Sequence, residues 1–483
     1  MKSRLQLLSL CLLTTTSVFA APPLPAGPKP SLGEPALPEG LEAPQAGRTS
    51  ADRSATSEPA LPAGLGQARQ AGMSPAAEGP AGRYLDWSGF LEMRGGLRTG
   101  SDPLQRQTAL AETRLQIGLE GGGDQLIFQL TGDVLHDEVE TQKSLDLETG
   151  KGRVDLREAG ISWRASERVD VKIGRQTLSW GTGDLLFIND LFPKDFPSFF
   201  TGRDQEYLKA PSDAAKISLF LDGLNLDLVY TPRFDADRYI DGSRLSYYNA
   251  NLGRRAGRDA VIPVERPGGN ELAARIYGNL DAYELAAYAY RGFWKSPGGY
   301  DAHKGVYTFP ALSVYGFSAR GPVMGGIGNL ESGYYRSGDD PKGDDPQLPN
   351  SELRLLLGFE RELAPEFTLG IQYQVDRMSD YAAYRLALPP NAVVRDHDRH
   401  ITTLRLTRLL LNQDLNLSLF AFYSPSDNDG YLRPKAHYKV NDQLSAEVGA
   451  NIFFGEKEDS FFAQFENNNN LYIGLRYSFA SGL

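Results

Sequence analysis

The chain has 483 residues, a formal net charge of −11, 41% hydrophobic side chains and one cysteine, Cys11. The acidic balance excludes the basic stripe that a nucleic-acid partner needs, and a lone cysteine excludes disulfides and thiolate metal clusters within the chain. The mean hydropathy is −0.37, and no apolar run of the roughly 20 residues that a spanning helix needs follows residue 20.

The first 20 residues have the three parts of a secretory signal peptide. Lys2 and Arg4 are basic, the stretch from residue 5 to residue 18 is mostly apolar, and Ala20 offers a small residue for cleavage. A membrane anchor is the alternative, but three threonines interrupt the apolar stretch and it is too short to span. We expect cleavage after Ala20, which also removes Cys11.

Residues 21–82 are dominated by Pro, Ala, Gly and Glu, which cannot bury enough apolar area to fold. We therefore predict a disordered tail. It contains a repeat, because EPALPEGL at 34–41 returns as EPALPAGL at 58–65. The repeat is either a polyproline-type ligand shown twice to a periplasmic partner or a spacer grown by duplication, and composition favours the spacer.

From Tyr84 onward the sequence alternates between apolar and polar residues with period two, which predicts strands with one dry and one wet face. Between 366 and 378, for example, Phe, Leu, Ile, Tyr and Val alternate with Thr, Gly and Gln. The pattern predicts 18 strands, near 85–97, 109–121, 124–136, 153–165, 168–176, 213–222, 224–233, 270–280, 282–293, 310–320, 325–336, 350–362, 366–378, 398–411, 414–424, 430–440, 443–454 and 469–479.

The predicted links alternate in length. Short turns are expected at 121–123, 166–167, 223, 281, 321–322, 364–365, 412–413 and 441–442, and longer loops at 177–212, 234–269, 294–309, 337–349 and 379–397. A short-turn rim and a long-loop rim are typical of outer-membrane barrels. An even strand number places both ends of the barrel on the short-turn side, so the tail is expected in the periplasm.

The fold class that follows is all-β, a transmembrane antiparallel barrel of about 18 strands (16–20) over residues 83–483. In hydrocarbon every backbone N–H and C=O must be paired within the protein, and without a spanning helix only a closed sheet satisfies them. The expected location is the outer membrane of a Gram-negative bacterium. Outer-membrane lipid, lipopolysaccharide and the barrel-assembly machinery are the expected partners.

The last predicted strand resembles the C-terminal assembly signal of outer-membrane barrels, in which a glycine precedes two aromatic residues at fixed spacing. Here these are Gly474, Tyr477 and Phe479. The match departs from the family's pattern because four residues follow Phe479, whereas an aromatic residue usually ends the chain. An ordinary amphipathic strand is the alternative.

The loop at 177–212 is the most distinctive segment. The run from Gly174 to Gly181 reads GRQTLSWG and leads into five phenylalanines interleaved with charges. This segment is similar to the Gly-Arg-Gln, then Gly-and-Asp segment of alginate-export-like and related large porins, which implies a channel barrel. A loop this apolar is expected either to fold into the lumen as a constriction or to pack as an extracellular cap.

If the loop constricts the lumen, charged side chains set selectivity. The candidates are Asp184, Asp190, Lys194, Asp195, Arg203 and Asp204 in the loop, with Glu112, Arg114, Lys172, Arg275, Arg354, Asp376 and Arg405 on the strands. The alternative is that these charges pair across strands and hold the barrel together.

No catalytic or cofactor motif was found. A metal at His397 and His400, which lie in or beside a predicted outer loop, would need further ligands, so a solvated loop is favoured. The carboxylates at 339–340 and 344–345 could hold Ca²⁺, but a solvated loop is favoured there as well. We therefore expect no enzyme activity, no cofactor and passive passage of hydrated polar or charged solutes. The alternative is a barrel that exports an anionic polysaccharide or encloses a periplasmic partner such as an electron-carrying protein; an outer-membrane hydrolase is disfavoured.

Overall fold

The computed structural model describes residues 84–140, 145–150, 152–390 and 392–481. The predicted signal peptide (1–20) and Pro-rich tail (21–82) lie outside these residues. Two short α-helices, α1 (Phe196–Thr201) and α2 (Tyr381–Ala387), and 3₁₀ turns at Gln205–Leu208 and Ala463–Asn468 join the strands.

The described residues form 23 strands, of which 18 belong to one sheet. The 18 are β1 (Tyr84–Arg98), β2 (Thr108–Gly122), β3 (Leu126–Asp137), β4 (Val154–Ser166), β5 (Val169–Thr177), β6 (Pro211–Leu221), β7 (Leu224–Thr231), β11 (Glu271–Leu280), β12 (Tyr283–Phe293), β15 (Ala311–Val323), β16 (Gly326–Ser337), β17 (Glu352–Ala364), β18 (Phe367–Met378), β19 (Asp398–Leu410), β20 (Leu415–Ser424), β21 (Asp429–Lys439), β22 (Leu444–Gly455) and β23 (Asn470–Ala480). The other five lie in loops: β8 (Tyr247–Asn249), β9 (Arg254–Ala256), β10 (Val264–Glu265), β13 (Gly299–Asp301) and β14 (Val306–Thr308).

The sheet closes on itself. Each barrel strand pairs antiparallel with the next one in the chain, and β1 also pairs with β23 from Ser88↔Ala480 to Arg98↔Asn470. Closure leaves no sheet edge with unpaired backbone groups. The predicted all-β barrel of about 18 strands is confirmed, and the predicted strand positions agree with the observed ones to within a few residues.

The distribution of side chains is inverted relative to a soluble protein. On β23, Leu471, Ile473 and Leu475 face outward with more than half of their surface exposed, and on the neighbouring β1 the inward-facing Glu92 and Arg94 are buried. Soluble proteins bury charges rarely and expose apolar patches sparingly. The barrel therefore has an apolar outside and a charged inside, as period-two alternation predicts.

The connections also follow the predicted pattern. One rim carries turns of two to four residues, and the other carries all the long loops, including 178–210 and 232–270, together with one tight turn at 425–428. No helix within the described ranges has the length and apolar character required to cross a membrane.

One predicted turn is wrong. The turn expected at Gly321–Pro322 is absent, since β15 continues to Val323 and the chain reverses at Met324–Gly325. Both turn residues have positive φ, as a two-residue hairpin of type I′ requires. The Tyr283 hydroxyl donates a 3.0 Å hydrogen bond to the Pro322 carbonyl, and this contact helps hold the Gly-Pro segment in the sheet.

We predict that a charge on the outer face destabilises the barrel according to its depth. Leu357 lies at the middle of β17 on the outer face, whereas Leu353 lies on the same face near the long-loop rim. In vesicles, Leu357→Arg should lower the free energy of unfolding by about 2–4 kcal/mol and Leu353→Arg by about 0–1 kcal/mol, measured by urea unfolding. Equal costs at both positions would contradict a lipid-facing surface.

Candidate functional site: a loop across the lumen

The loop between β5 and β6, residues 178–210, is folded inside the barrel. Its apolar side chains are almost all buried, and they form one cluster with inward-facing residues of the strands. The buried members from the loop are Leu178, Trp180, Leu185, Leu186, Ile188, Phe192, Phe199, Phe200 and Leu208. A loop that buries this much apolar surface has a fixed position rather than the mobility of a solvated connection.

The tip of the loop is held by one carboxylate of the barrel wall. Glu331 on β16 is fully buried and accepts hydrogen bonds from the backbone N–H groups of Thr182, Gly183 (2.6 Å) and Asn189 (3.2 Å). The Asn189 side-chain amide donates a further bond of 3.0 Å. Hydrogen bonds to an ionised acceptor are stronger than neutral ones, so Glu331 organises the backbone of the tip.

Glycines permit the tip of the loop to bend tightly against the barrel wall. Gly181 has φ +85°, and a Cβ on Gly183 would lie 2.2 Å from the Leu186 carbonyl oxygen. Leu185, two residues later, also has positive φ, which is strained for a branched side chain. The tip is therefore a tight bend that its anchors to the wall must hold in place.

The tip reaches the opposite wall of the barrel. The Asp184 carboxylate forms a bidentate ion pair with the Arg405 guanidinium on β19, with 2.7 Å between Oδ1 and Nη2, and its backbone N–H donates to Gln372 on β18 (3.0 Å). In the ring of 18 strands, β19 is halfway round from β5. The loop therefore spans the lumen from wall to wall.

The middle of the loop joins a second long loop, residues 232–270. Lys194 is buried and its ammonium group lies 2.9 Å from the Asp190 carboxylate. Arg238 of the second loop bridges Asp195 (3.2 Å) and Asp155 on β4 (2.7 Å). Burial lowers the pKa of Arg238, but the adjacent Asp155 and Asp195 carboxylates more than offset this and raise its pKa overall.

Helix α1 contributes the aromatic side chains that pack the loop against the barrel wall. The Asp195 side chain caps its N-terminus by accepting from the Ser198 N–H at 2.8 Å. The helix directs Phe199 and Phe200 against Tyr431 on β21, with ring centroids 5.7 and 5.3 Å away, and Phe200 also contacts Phe453 on β22 (5.2 Å). Edge-to-face contacts of this kind stabilise a buried position beyond their area.

The last part of the loop, residues 202–208, returns toward β6 and is called the returning arm. Charged residues on β1, β2 and β23 hold it in place. Arg94 donates to the Gly202 carbonyl (2.6 Å), and Arg203 donates to Glu112 (2.9 Å). Arg476 on β23 lies 3.4 Å from Asp204 and 3.1 Å from Glu206. These charged groups are paired within the barrel, where a lower dielectric makes each pair stronger than at a surface.

Tyr207 in the returning arm contacts the part of the wall formed by β2 and β3. Its hydroxyl donates to Asp133 at 2.8 Å, and the Arg114 guanidinium lies 4.1 Å from the centre of its ring. Arg114 also pairs with Glu112 at 2.7 Å. The predicted loop and strand charges thus form one network with the wall.

The remaining lumen candidates lie on other strands of the wall, and Arg275 lies 5.5 Å from the ring of Trp180 in the loop. Arg275 pairs with Asp227 at 2.7 Å, and Lys172 faces Lys216 directly across β5 and β6. Arg354 forms an ion pair with Glu352 and lies 3.9 Å from Asp376. All seven predicted strand charges occupy inward-facing positions. Their role in selectivity stays a prediction.

The sequence analysis did not predict several other residues that hold the loop in place. Glu331, Arg94, Arg476, Asp133 and Arg238 all contact loop 178–210. Four of them lie on strands, at polar positions of the period-two alternation: Glu331, Arg94, Arg476 and Asp133. This alternation was the sequence signal that could have identified them. The loop partners of these four strand residues lie 74 to 272 residues away in the sequence, and the crossing of the lumen brings them together.

The predicted assembly residues lie at the seam where the barrel closes. Gly474 faces Arg94 across the β1–β23 pair, and the Phe479 ring lies 5.8 Å from that of Trp87. A Cβ on Gly89 of β1 would lie 2.7 Å from the Phe479 ring, so the aromatic side chain covers a glycine of the first strand. Their role in assembly stays a prediction.

No group of three or more His, Cys, Asp or Glu side chains suited to a metal occurs within the described ranges. His397 contacts Asp398 at 3.3 Å, and Asp340 accepts backbone hydrogen bonds from Asp344 and Asp345, both 3.2 Å. The paired aspartates therefore organise their own loop.

A water-accessible pocket remains beneath the tip of the loop, on the short-turn side. Thr182, Asp184, Arg320, Glu360 and Arg405 line it, together with other residues of β16–β19. A second pocket lies on the long-loop side, between the two long loops and the β2–β4 wall, and Arg114, Asp137, Arg203 and Arg244 line it. The loop thus borders two polar pockets.

Similarity to known proteins is limited to solved structures. No protein-family model and no curated protein matches the chain. The crystal structure of Acinetobacter baumannii OccAB4 matches with a TM-score of 0.50 at 9% identity, over 84% of this chain and all of that one. Acinetobacter baumannii OccAB1 (TM-score 0.49, 10% identity, 82% and 97% coverage) and Pseudomonas aeruginosa OccK11 (0.48, 11%, 82% and 96%) are further matches.

The chain is a closed 18-stranded antiparallel barrel, and its fold is similar to that of OccAB4. At this identity the likeness concerns the fold.

We predict that Glu331 fixes the tip more firmly than a neutral amide can. Glu331→Gln replaces one of the two acceptor oxygens with an N–H₂ group that faces backbone donors, at a local cost of about 1–3 kcal/mol. Single-channel recordings should show larger open-state current fluctuations than wild type, because the tip moves. Glu360→Gln is the matched control, since Glu360 also faces the lumen and no hydrogen bond joins it to any described residue. Unchanged fluctuations in Glu331→Gln, or equal increases in both variants, would contradict this role.

Proposed function

We propose that this protein is an outer-membrane channel through which hydrated polar or charged solutes pass passively, and that loop 178–210 sets the width of the path. The observation that carries the proposal is the wall-to-wall crossing of the lumen by this loop, from its root at β5 to Arg405 on β19. An apolar exterior suits lipid, a charged interior suits water, and a fixed crossing segment narrows what remains.

The arrangement in the membrane follows from the same features. The predicted signal peptide supports export, and the short-turn rim, from which β1 begins and at which β23 ends, is assigned to the periplasm. The Pro-rich tail then extends into the periplasm, and the long loops face outward. Lipopolysaccharide and the barrel-assembly machinery remain proposed partners in this arrangement.

Charges along the path orient solutes in this proposal. Beneath the tip, Arg320, Glu360 and the Asp184–Arg405 ion pair line one pocket. Fixed charges of both signs across a narrow passage create a transverse field, which favours polar solutes over apolar ones. Neither a cofactor nor a chemical step is part of this function.

A second candidate is export of an anionic polysaccharide, which the similarity of the 174–212 segment to alginate-export-like porins supports. The expected marker of that function, and of a barrel that encloses a partner protein, is a wide and unplugged lumen. The network that fixes loop 178–210 argues against both.

The test is conductance in planar bilayers under a salt gradient. The wild-type barrel should carry steady current without any partner. Replacing residues 182–207 with a short Gly-Ser linker should raise the conductance at least twofold and weaken ion preference. Removal of residues 302–305, at the tip of another loop on the same rim, serves as the control and should change neither.

Two results would contradict the proposal. An absence of current until a partner is added would favour the enclosing barrel. Unchanged conductance and ion preference after removal of 182–207 would show that the loop does not limit passage.

A further inference from the structure

A row of four side chains crosses the outer face of the barrel just below the long-loop rim. The register aligns Leu272 on β11, Arg291 on β12, Ser313 on β15 and Arg336 on β16. All four face outward because they alternate with inward-facing residues such as Tyr290, Leu312 and Tyr335. The two arginines are two strands apart, a separation of roughly 10 Å.

Arg291 and Arg336 have no partner among the residues that the structure describes. Both are exposed, and neither forms a hydrogen bond or ion pair with any residue that the structure describes. Two other outward-facing strand arginines near this rim are paired, Arg377 with Asp398 and Arg175 with Asp213, both at 2.8 Å.

The surroundings of the pair are apolar. Leu272, directly beside Arg291, is 52% exposed, and Tyr230 on β7 continues the row. Toward the middle of the barrel, Tyr315 and Tyr334 lie directly below Ser313 and Arg336 and are also exposed. The two cations therefore mark the edge of the apolar surface, at the depth where aromatic rings and charged headgroups meet.

An apolar groove leads away from this edge along β12. Its floor is Ala289 and Ala287, the outward residues that follow Arg291 toward the short-turn rim. Leu272 and Ile276 form one bank on β11, and Tyr315 and Phe317 form the other on β15. The banks are two strand spacings apart, about 10 Å, which leaves room for a hydrocarbon chain between them.

We propose that this surface binds a phosphate-bearing amphiphile of the outer leaflet, with its phosphate on Arg291 and Arg336 and an acyl chain in the groove over Ala287 and Ala289. Guanidinium groups bind phosphate oxygens bidentately, and the Ser313 hydroxyl between them adds a donor. Charge complementarity selects an anionic headgroup, and the groove selects a lipid over free phosphate. The inference rests on the proposed orientation, in which the long-loop rim faces outward.

The experiment measures lipid retention by native mass spectrometry on the full barrel released from detergent. The probe is an acylated glucosamine disaccharide carrying two phosphates, and its dephosphorylated form is the comparison. Wild type should retain the phosphorylated probe at least tenfold better than Arg291→Gln/Arg336→Gln. Arg164→Gln/Arg168→Gln removes two arginines that are each 66% exposed at the short-turn rim and should bind like wild type.

The groove is tested separately. Ala289→Trp fills its floor and should weaken binding of the acylated probe, whereas Ala446→Trp, outward-facing on the remote β22, should not. An excess of inorganic phosphate should leave the complex intact if the acyl chain contributes; full displacement by phosphate would overturn the lipid assignment.

Equal retention by wild type and the Arg291/Arg336 double variant, or equal retention of phosphorylated and dephosphorylated probes, would overturn the proposal. Conductance separates this outcome from failure of the channel function. Both arginines lie outside the lumen, so the double variant should conduct like wild type whatever its lipid binding.

Discussion

The pairing of β1 with β23 is the contact on which the rest of the structure depends. Eighteen strands with one oily face form a stable object only when no backbone donor or acceptor at an edge is left unpaired. Eleven residue pairs, from Ser88↔Ala480 to Arg98↔Asn470, close that edge. Closure also creates an interior that no neighbouring layer fills, and this interior is where the charged faces of all the strands meet.

The crossing loop depends on that interior. A segment with five phenylalanines cannot remain solvated, and inside the barrel it finds aromatic partners such as Tyr431 and Phe453. Its backbone still needs hydrogen-bonding partners, because buried amides without them are costly. Glu331 and Arg94 supply an acceptor and a donor from the wall. Apolar packing thus fixes where the loop lies, and buried charges fix its conformation.

The sequence predicted the barrel better than the site, for a physical reason. Alternation with period two is a local property, so strand number and position could be predicted from short windows. The Gly321–Pro322 turn was predicted from composition, and it failed because Met324 and Gly325 adopt the required backbone conformation instead. The loop was recognised from its own residues. Its anchor Glu331 was not predicted. The backbone groups that Glu331 binds lie 142 to 149 residues away in the sequence, and nothing in the residues around Glu331 indicates this contact.

The central claim is that lipid surrounds one face of each strand and water the other, and thiol labelling tests it most directly. Ala215, Lys216 and Ile217 are consecutive on β6, with only Lys216 facing the lumen. Each is replaced by cysteine in turn, on a background without Cys11. In vesicles, a water-soluble, membrane-impermeant thiol reagent should label only position 216, and a lipid-soluble one should label 215 and 217. Labelling of all three positions by the water-soluble reagent would contradict the account.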